Sequence, residues 1–189
     1  MNIEITEYPL LIRSVRESDR EAYMIFRKVE GLAGYQKLDD YMWNRFCANK
    51  DGINFIAYHM DSKDPVGKGD IHNTDSKSIE IGYDVIPGKQ NCGYGTIIAK
   101  SLIKISHDLF PGKPALLKIR KDNYASLRVA EKCGGVLLRT EDGPEVEYTL
   151  GKIKDFEANR PEWLTDEKMA GLQESINKGK NAVLVFQMP

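Results

Sequence analysis

Residues Val85 to Ile97 read VIPGKQNCGYGTI: the end of a strand-forming run, a glycine-rich loop, and the start of an apolar-periodic segment. A strand that feeds such a loop into a helix gathers unpaired backbone N–H groups and the positive end of a helix dipole at one point. Phosphate binds at such points, and the glycines let a ligand approach the main chain. Two common phosphate loops do not fit. The pattern GxGxxG needs a glycine where the chain has Ile98, and GxxxxGK[ST] needs a lysine where it has Tyr94. Just upstream, the alternating run Ser78 to Ile86 sets Glu80 and Asp84 on one strand face with Gly82 between them. Either carboxylate has the chemistry to take a proton from a nucleophile.

The other reactive residue types carry less. Cys92 lies in the loop without a histidine near it in sequence and reads as a small loop residue. Cys47, Cys92 and Cys133 are odd in number and lack CxxC spacing, which argues against a disulfide framework or a cysteine zinc site. His59, His72 and His107 lack HxxxH or HExxH spacing, so no metal is expected. The 189 residues hold 27 Lys plus Arg against 28 Asp plus Glu, a net charge of −1, which speaks against a nucleic-acid partner. The cations between Lys113 and Lys132 read as solvated faces, with one or two near a phosphate. The N-terminal segment has no basic stretch followed by an apolar run, and no segment reaches the roughly 18 apolar residues of a membrane span. A reducing cytoplasm is the expected compartment, with no membrane partner.

These residues need elements to position them. Leu10 to Ser14 reads as a strand, and Glu17 to Val29 as a helix with Ala22, Ile25, Phe26 and Val29 inward. Leu38 to Ala48 reads as a second helix. Ile53 to Met60, Val66 to His72 and Ser78 to Ile86 form an antiparallel meander. Thr96 to Leu109 is a helix, Ala115 to Ile119 a strand, and Asn123 to Cys133 a helix stopped by Gly134 and Gly135. Val136 to Thr140 and Glu145 to Leu150 read as a hairpin. The fold class is α/β, a mixed and mostly antiparallel sheet flanked by helices, over residues 1–150. Residues 151–189 read as a C-terminal extension, packed on the same domain or on a partner subunit. It holds a polar stretch from Gly151 to Asn159 and an amphipathic helix from Pro161 to Lys178 that includes Trp163. A strand-like run follows from Ala182 to Phe186, whose alternative reading is a homodimer contact through an exposed edge.

The loop matches Q-x-x-G-x-G at Gln90, Gly93 and Gly95. It is preceded by Glu80-Ile-Gly-Tyr-Asp-Val-Ile-Pro87 and followed by Asn123-Tyr-Ala-Ser126-Leu-Arg-Val-Ala-Glu131-Lys-Cys-Gly134. Together with Leu11 to Asp19, these segments resemble the GNAT superfamily of N-acetyltransferases, nearest the branch of ribosomal-protein-alanine acetyltransferases. The resemblance covers about Leu10 to Leu150. It implies a fold that binds acetyl-CoA and moves its acetyl group to a primary amine, either a protein N-terminus or a small molecule, by direct attack on the thioester. A non-catalytic acyl-CoA sensor or structural module is the alternative. Gln90, Asn91, Cys92, Gly93, Tyr94, Gly95 and Thr96 would hold the pyrophosphate. Val85 and Ile86 would pair with the pantetheine arm in a gap between their strand and the next. Asn123 and Ser126 would flank the arm, Asn123 also serving as a helix cap. Glu80 ranks first as general base through its match to the E-I-G-Y pattern, and Asp84 second. Leu32 to Lys37, the second helix and the strand before the loop would line the acceptor pocket, with His72 on that side. Two departures stand out. Gly135 occupies a position where the family usually has Phe, and Ala130 one where many members have a Tyr that protonates the leaving thiolate; water or Ser126 would serve instead.

Substituting Gly95 with Val is expected to weaken acetyl-CoA binding more than tenfold, a loss of about 1.4 kcal/mol. Titration calorimetry reads this directly, and unchanged affinity contradicts a phosphate loop at this position.

Overall fold

The computed structural model describes residues 2–189, except for the side chain of Trp163. Eight strands form one sheet: β1 (Glu4–Glu7), β2 (Leu10–Ser14), β3 (Ile53–His59), β4 (Pro65–His72), β5 (Ile79–Val85), β6 (Ala115–Arg120), β7 (Val136–Glu141) and β8 (Val183–Gln187), in the order β1-β2-β3-β4-β5-β6-β8-β7. Six helices pack around it: α1 (Arg20–Val29), α2 (Gln36–Cys47), α3 (Tyr94–Leu109), α4 (Tyr124–Lys132), α5 (Pro144–Asn159) and α6 (Asp166–Gly179). Neighbouring strands are antiparallel except β5 and β6.

Alternation along the strands divides the sheet into two faces. Ile12, Phe55, Val66, Ile71, Ile79 and Ile81 meet Ile98 and Leu102 of α3 in the main core. Ile56 joins Tyr23, Phe26 and Trp43 of α1 and α2 in a smaller core on the other side. The inward stripe of α1 is Ala22, Tyr23, Phe26 and Arg27, so Ile25 and Val29, expected inside, are exposed. Arg27 is buried because Asp39 of α2 accepts its Nε–H at 2.8 Å, and the Leu32 carbonyl accepts from its Nη2 at 2.7 Å. Asp39 also accepts the Gly34 N–H at 2.9 Å. One buried ion pair thus orders the α1–α2 connection, where chain entropy would otherwise oppose a fixed path.

The parallel neighbours β5 and β6 pair only at Ile79 with Ala115 and Glu80 with Leu116. Beyond that point each strand stays paired on its outer edge: β5 with β4 as far as Val85, and β6 with β8 as far as Arg120. A gap therefore opens between them, as the sequence reading expects.

The C-terminal third departs from the sequence reading. Glu145 to Leu150 is not a strand but the start of α5, which also takes in the stretch read as a polar connection. Val146, Tyr148 and Leu150 alternate as in a strand, but Val146, Leu150 and Ile153 also recur at helical spacing. Pro144 at the first helical position and Glu145 and Glu147 in the first turn favour the helix. Tyr148, on the strand reading's apolar face, is 65% exposed. The strand that pairs with β7 is therefore not Glu145 to Leu150 but β8, which enters the sheet between β6 and β7. With both edges of β8 enclosed, an intersubunit contact through an open edge of the Ala182 to Phe186 run has no edge to use. The boundary read at Leu150 falls inside α5. Gly135 lacks the family's aromatic side chain, and Met188 fills the place: a Cβ on Gly135 would stand 3.2 Å from the Met188 sulfur.

Because β8 is an inner strand, Val185→Ala should cost about 2 kcal/mol in urea unfolding, since Val185 is 0% exposed. Val136→Ala, on the outermost strand with 65% exposure, should stay within about 0.5 kcal/mol. Equal losses at the two positions contradict this strand order.

Candidate active site

The gap between β5 and β6 ends at the start of α3. Gly93, with φ of 81°, makes the left-handed turn into the helix, and no side chain caps the first turn. A residue with a Cβ would be strained at that φ even though the space around Gly93 is open. Gln90 Nε2 donates to the Val85 carbonyl at 3.2 Å and ties the loop back to the end of β5. On the other wall, Asn123 caps α4 by accepting the Ser126 N–H at 3.1 Å. Between these walls lies a groove of about 440 Å³. It brings together Val85, Gln90, Asn91, Gly93, Tyr94, Gly95, Thr96, Asn123 and Ser126 of the expected set.

Two expected members lie elsewhere. Ile86 packs against the α1–α2 core, and its N–H already donates to the Val66 carbonyl at 3.0 Å. The Ile79 N–H, seven residues back, donates to Pro114 on the β6 side at 3.1 Å. Main-chain groups alternate along a strand, so Tyr83 and Val85 face the gap while Gly82, Asp84 and Ile86 face β4. Cys92 is exposed at the loop surface, where its Sγ sits 3.4 Å from the Gln90 carbonyl. Lys89, Arg128 and Lys132 also line the groove and supply positive charge at its mouth. The signal for the last two was present in the sequence, since Tyr124, Arg128 and Lys132 form an i, i+4, i+8 stripe on α4. The Tyr83 hydroxyl is buried in the groove wall beside Ser126.

The face of β4 and β5 away from α3 carries the titratable groups. Glu80 is pinned. Its oxygens lie 3.3 Å from His72 Nε2 and 3.3 Å from Lys118 Nζ, and Asn73 Nδ2 donates to it at 3.3 Å. His72 above all, with Lys118, holds its carboxyl below the usual range. His72 in turn lies 2.5 Å from Asp70 through Nδ1, and its two carboxylate partners raise its pKa to about 10. Asp84 meets one cation, Lys68, at 3.6 Å. Desolvation by the surrounding chain pushes the Asp84 pKa up against Lys68. Its side chain is 66% exposed, so water blunts that push, and the firmer contrast with Glu80 is coordination. Glu80 is not part of the groove wall, whereas Asp84 is.

A family model described as an acetyltransferase (GNAT) domain matches residues 9–136. The chain belongs to the GNAT acetyltransferase family. It is therefore an acetyl-CoA-dependent N-acetyltransferase, and acetyl-CoA is its acetyl donor. No curated protein sequence matches it. Among solved structures of similar fold is RimL, a ribosomal L7/L12 alpha-N-protein acetyltransferase, with 14% identity and a TM-score of 0.66 over 99% of this chain and 94% of that one. The ribosomal-protein-S5-alanine acetyltransferase of Vibrio fischeri has 12% identity and a TM-score of 0.61 over 75% and 87%. The spermidine N-acetyltransferase of Vibrio cholerae, solved with CoA and spermine, has 14% identity and a TM-score of 0.59 over 72% and 86%. At these identities the likeness is one of fold. The match to RimL spans almost the whole of both chains, so the C-terminal part of this GNAT protein also has a counterpart there. Among the described residues, no helix is long and apolar enough to cross a membrane.

His72 makes pH-dependent stability a check on this geometry. Its pKa is raised from 6.5 to about 10 in the fold, so the native state favours the protonated ring. That contribution is full below pH 6.5 and is lost as pH rises through about 10. The unfolding free energy of the wild type minus that of His72→Gln should therefore fall across this window in urea titrations. A difference independent of pH contradicts the paired imidazolium.

Proposed function

We propose that the chain moves the acetyl group of acetyl-CoA to a primary amine by direct attack of the amine on the thioester, with the donor lying in the groove between α3 and α4. The carrying observation is the strand gap that opens onto an uncapped helix start. The pyrophosphate would meet the N-terminus of α3, with Lys89, Arg128 and Lys132 around it. The pantetheine amides would pair with main-chain groups of Val85 and Tyr83 as an added strand would. Ile86, whose N–H is already taken, drops out of that pairing. Asn123 and Ser126 border the same arm from α4.

An amine near pH 7 arrives mostly as ammonium, as the lysine reference of about 10.4 indicates, and must lose a proton before it attacks. Asp84 suits that task better than Glu80. Asp84 lies at the groove with one cation near it, whereas two cations stabilise the Glu80 anion and lower its basicity. The role of Glu80 becomes that of a fixed anion on the acceptor face. Ala130 offers no proton for the departing thiolate, whereas Ser126 carries a hydroxyl at the groove. The free cysteines, Cys47, Cys92 and Cys133, suit a reducing cytoplasm.

The test is a screen of N-terminal peptides and small amines for release of CoA thiol, followed by kinetics on the best acceptor. Asp84→Asn should lower kcat by about 10²–10⁴ with acetyl-CoA affinity nearly unchanged. Glu80→Gln should lower it by less than about tenfold. The reverse ranking would return the base to Glu80. Acetyl-CoA binding without turnover of any amine would favour the sensor reading.

A further inference from the structure

The space above Gly82, between Glu80 and Asp84, is occupied. Asp70 is the direct cross-strand partner of Gly82, and its side chain leans over the glycine: a Cβ there would stand 2.5 Å from Asp70 Oδ1. Gly67, Gly69 and Ile71 face α3, so Lys68, Asp70 and His72 share the opposite face with Glu80 and Asp84. Asp70 Oδ2 is tied to His72 Nδ1 at 2.5 Å, and His72 Nε2 reaches Glu80 at 3.3 Å. The imidazole thus fixes which way the Asp70 carboxylate points. Among the described residues, Oδ1 takes no hydrogen bond. The cations nearby are engaged elsewhere: Lys68 with Glu30 at 2.6 Å and Asp84 at 3.6 Å, and Lys118 with Glu80 at 3.3 Å and Glu141 at 3.1 Å. Asp70 remains 37% exposed. Its free oxygen stands two residues beyond the last β5–β6 pair, where the gap begins.

We propose that Asp70 Oδ1 docks the ammonium of the acceptor over Gly82, with His72 as the positioning residue that aims it. The inference rests on the transferase reading and narrows its acceptor to amines that arrive protonated. An N⁺–H···O⁻ hydrogen bond is short and about twice as strong as a neutral one. A carboxylate already oriented by its neighbours binds without first losing rotamer freedom. From this position the ammonium lies on the same strand face as Asp84, which takes its proton. The opening of the gap puts the thioester on the nitrogen's other side.

Gly82→Ala separates this role from a merely structural one. It keeps every charge and drives Asp70 Oδ1 off the strand, since the three nearest atoms a Cβ would meet all belong to the Asp70 side chain. Asp70→Asn removes the charge and keeps the shape. Initial rates of thiol release are measured at pH 7 with spermine, with a peptide bearing a free N-terminal alanine, and with hydroxylamine, which is largely uncharged there. In both variants the KM for the protonated acceptor that the wild type uses should rise at least tenfold. The preference in kcat/KM for that acceptor over hydroxylamine should fall by a similar factor, and acetyl-CoA affinity by calorimetry should hold. An unchanged acceptor KM in both variants overturns the docking role, as does an equal loss with hydroxylamine. Wild-type protein that binds acetyl-CoA but turns over no amine, spermine, the peptide and hydroxylamine included, sinks the transferase reading itself, and the inference with it.

Discussion

The site depends on how briefly β5 and β6 touch. Two residue pairs join them, and then each strand follows its outer neighbour. Buried main-chain groups need partners, so a split in the middle of a sheet is stable only if something fills it. Here the split leaves the inward groups of Tyr83 and Val85 facing the space where a ligand's amides would act as the missing strand. The uncapped start of α3 lies at the same mouth, because the loop after Val85 turns through Gly93 directly into the helix. The proposed donor site and acceptor face are thus two sides of one opening.

Charges bridge the fork on the acceptor face. Lys118 of β6 reaches Glu80 of β5 beside the last pair and Glu141 of β7 on its other side. His72 joins Glu80 to Asp70 on β4. Such half-exposed pairs contribute little stability one at a time. Their value is positional: a chain of fixed partners across four strands leaves few orientations open to each carboxylate. That constraint distinguishes Asp84, which meets Lys68, from Glu80, which is held between His72 and Lys118.

The last residues of the chain complete the frame that holds the fork open. With β8 inserted beside β6, the far edge of β6 is satisfied, and the strand can leave β5 without exposing both its edges. Met188 then packs over Gly135, closing the core at the end of α4 where no aromatic residue is available. The groove wall carried by α4 thus leans on the C-terminus, although among the described residues none after Lys132 lines the groove.

Local pattern carried a long way. Strict alternation in Ile79 to Val85 set the faces of β5, and Pro87, the glycines and Asn123 marked where strand, loop and helix begin and end. Those features depend on steric and hydrogen-bonding rules acting within a few residues, so the strand gap, the glycine loop that runs into α3 and the family were legible from them. The α5 segment was not, because Val146, Leu150 and Ile153 satisfy one period and Val146, Tyr148 and Leu150 another. Only packing against α6 and the rest of the chain chooses between them. The position of β8 was equally closed to local reading, since strand order depends on contacts between residues far apart in sequence. The same holds on the acceptor face. Sequence could place Glu80 and Asp84 on one side of a strand, but the register that sets Asp70 over Gly82, and the cations that hold Glu80 from two sides and leave Asp84 with Lys68, arise only when β4, β5 and β6 lie side by side.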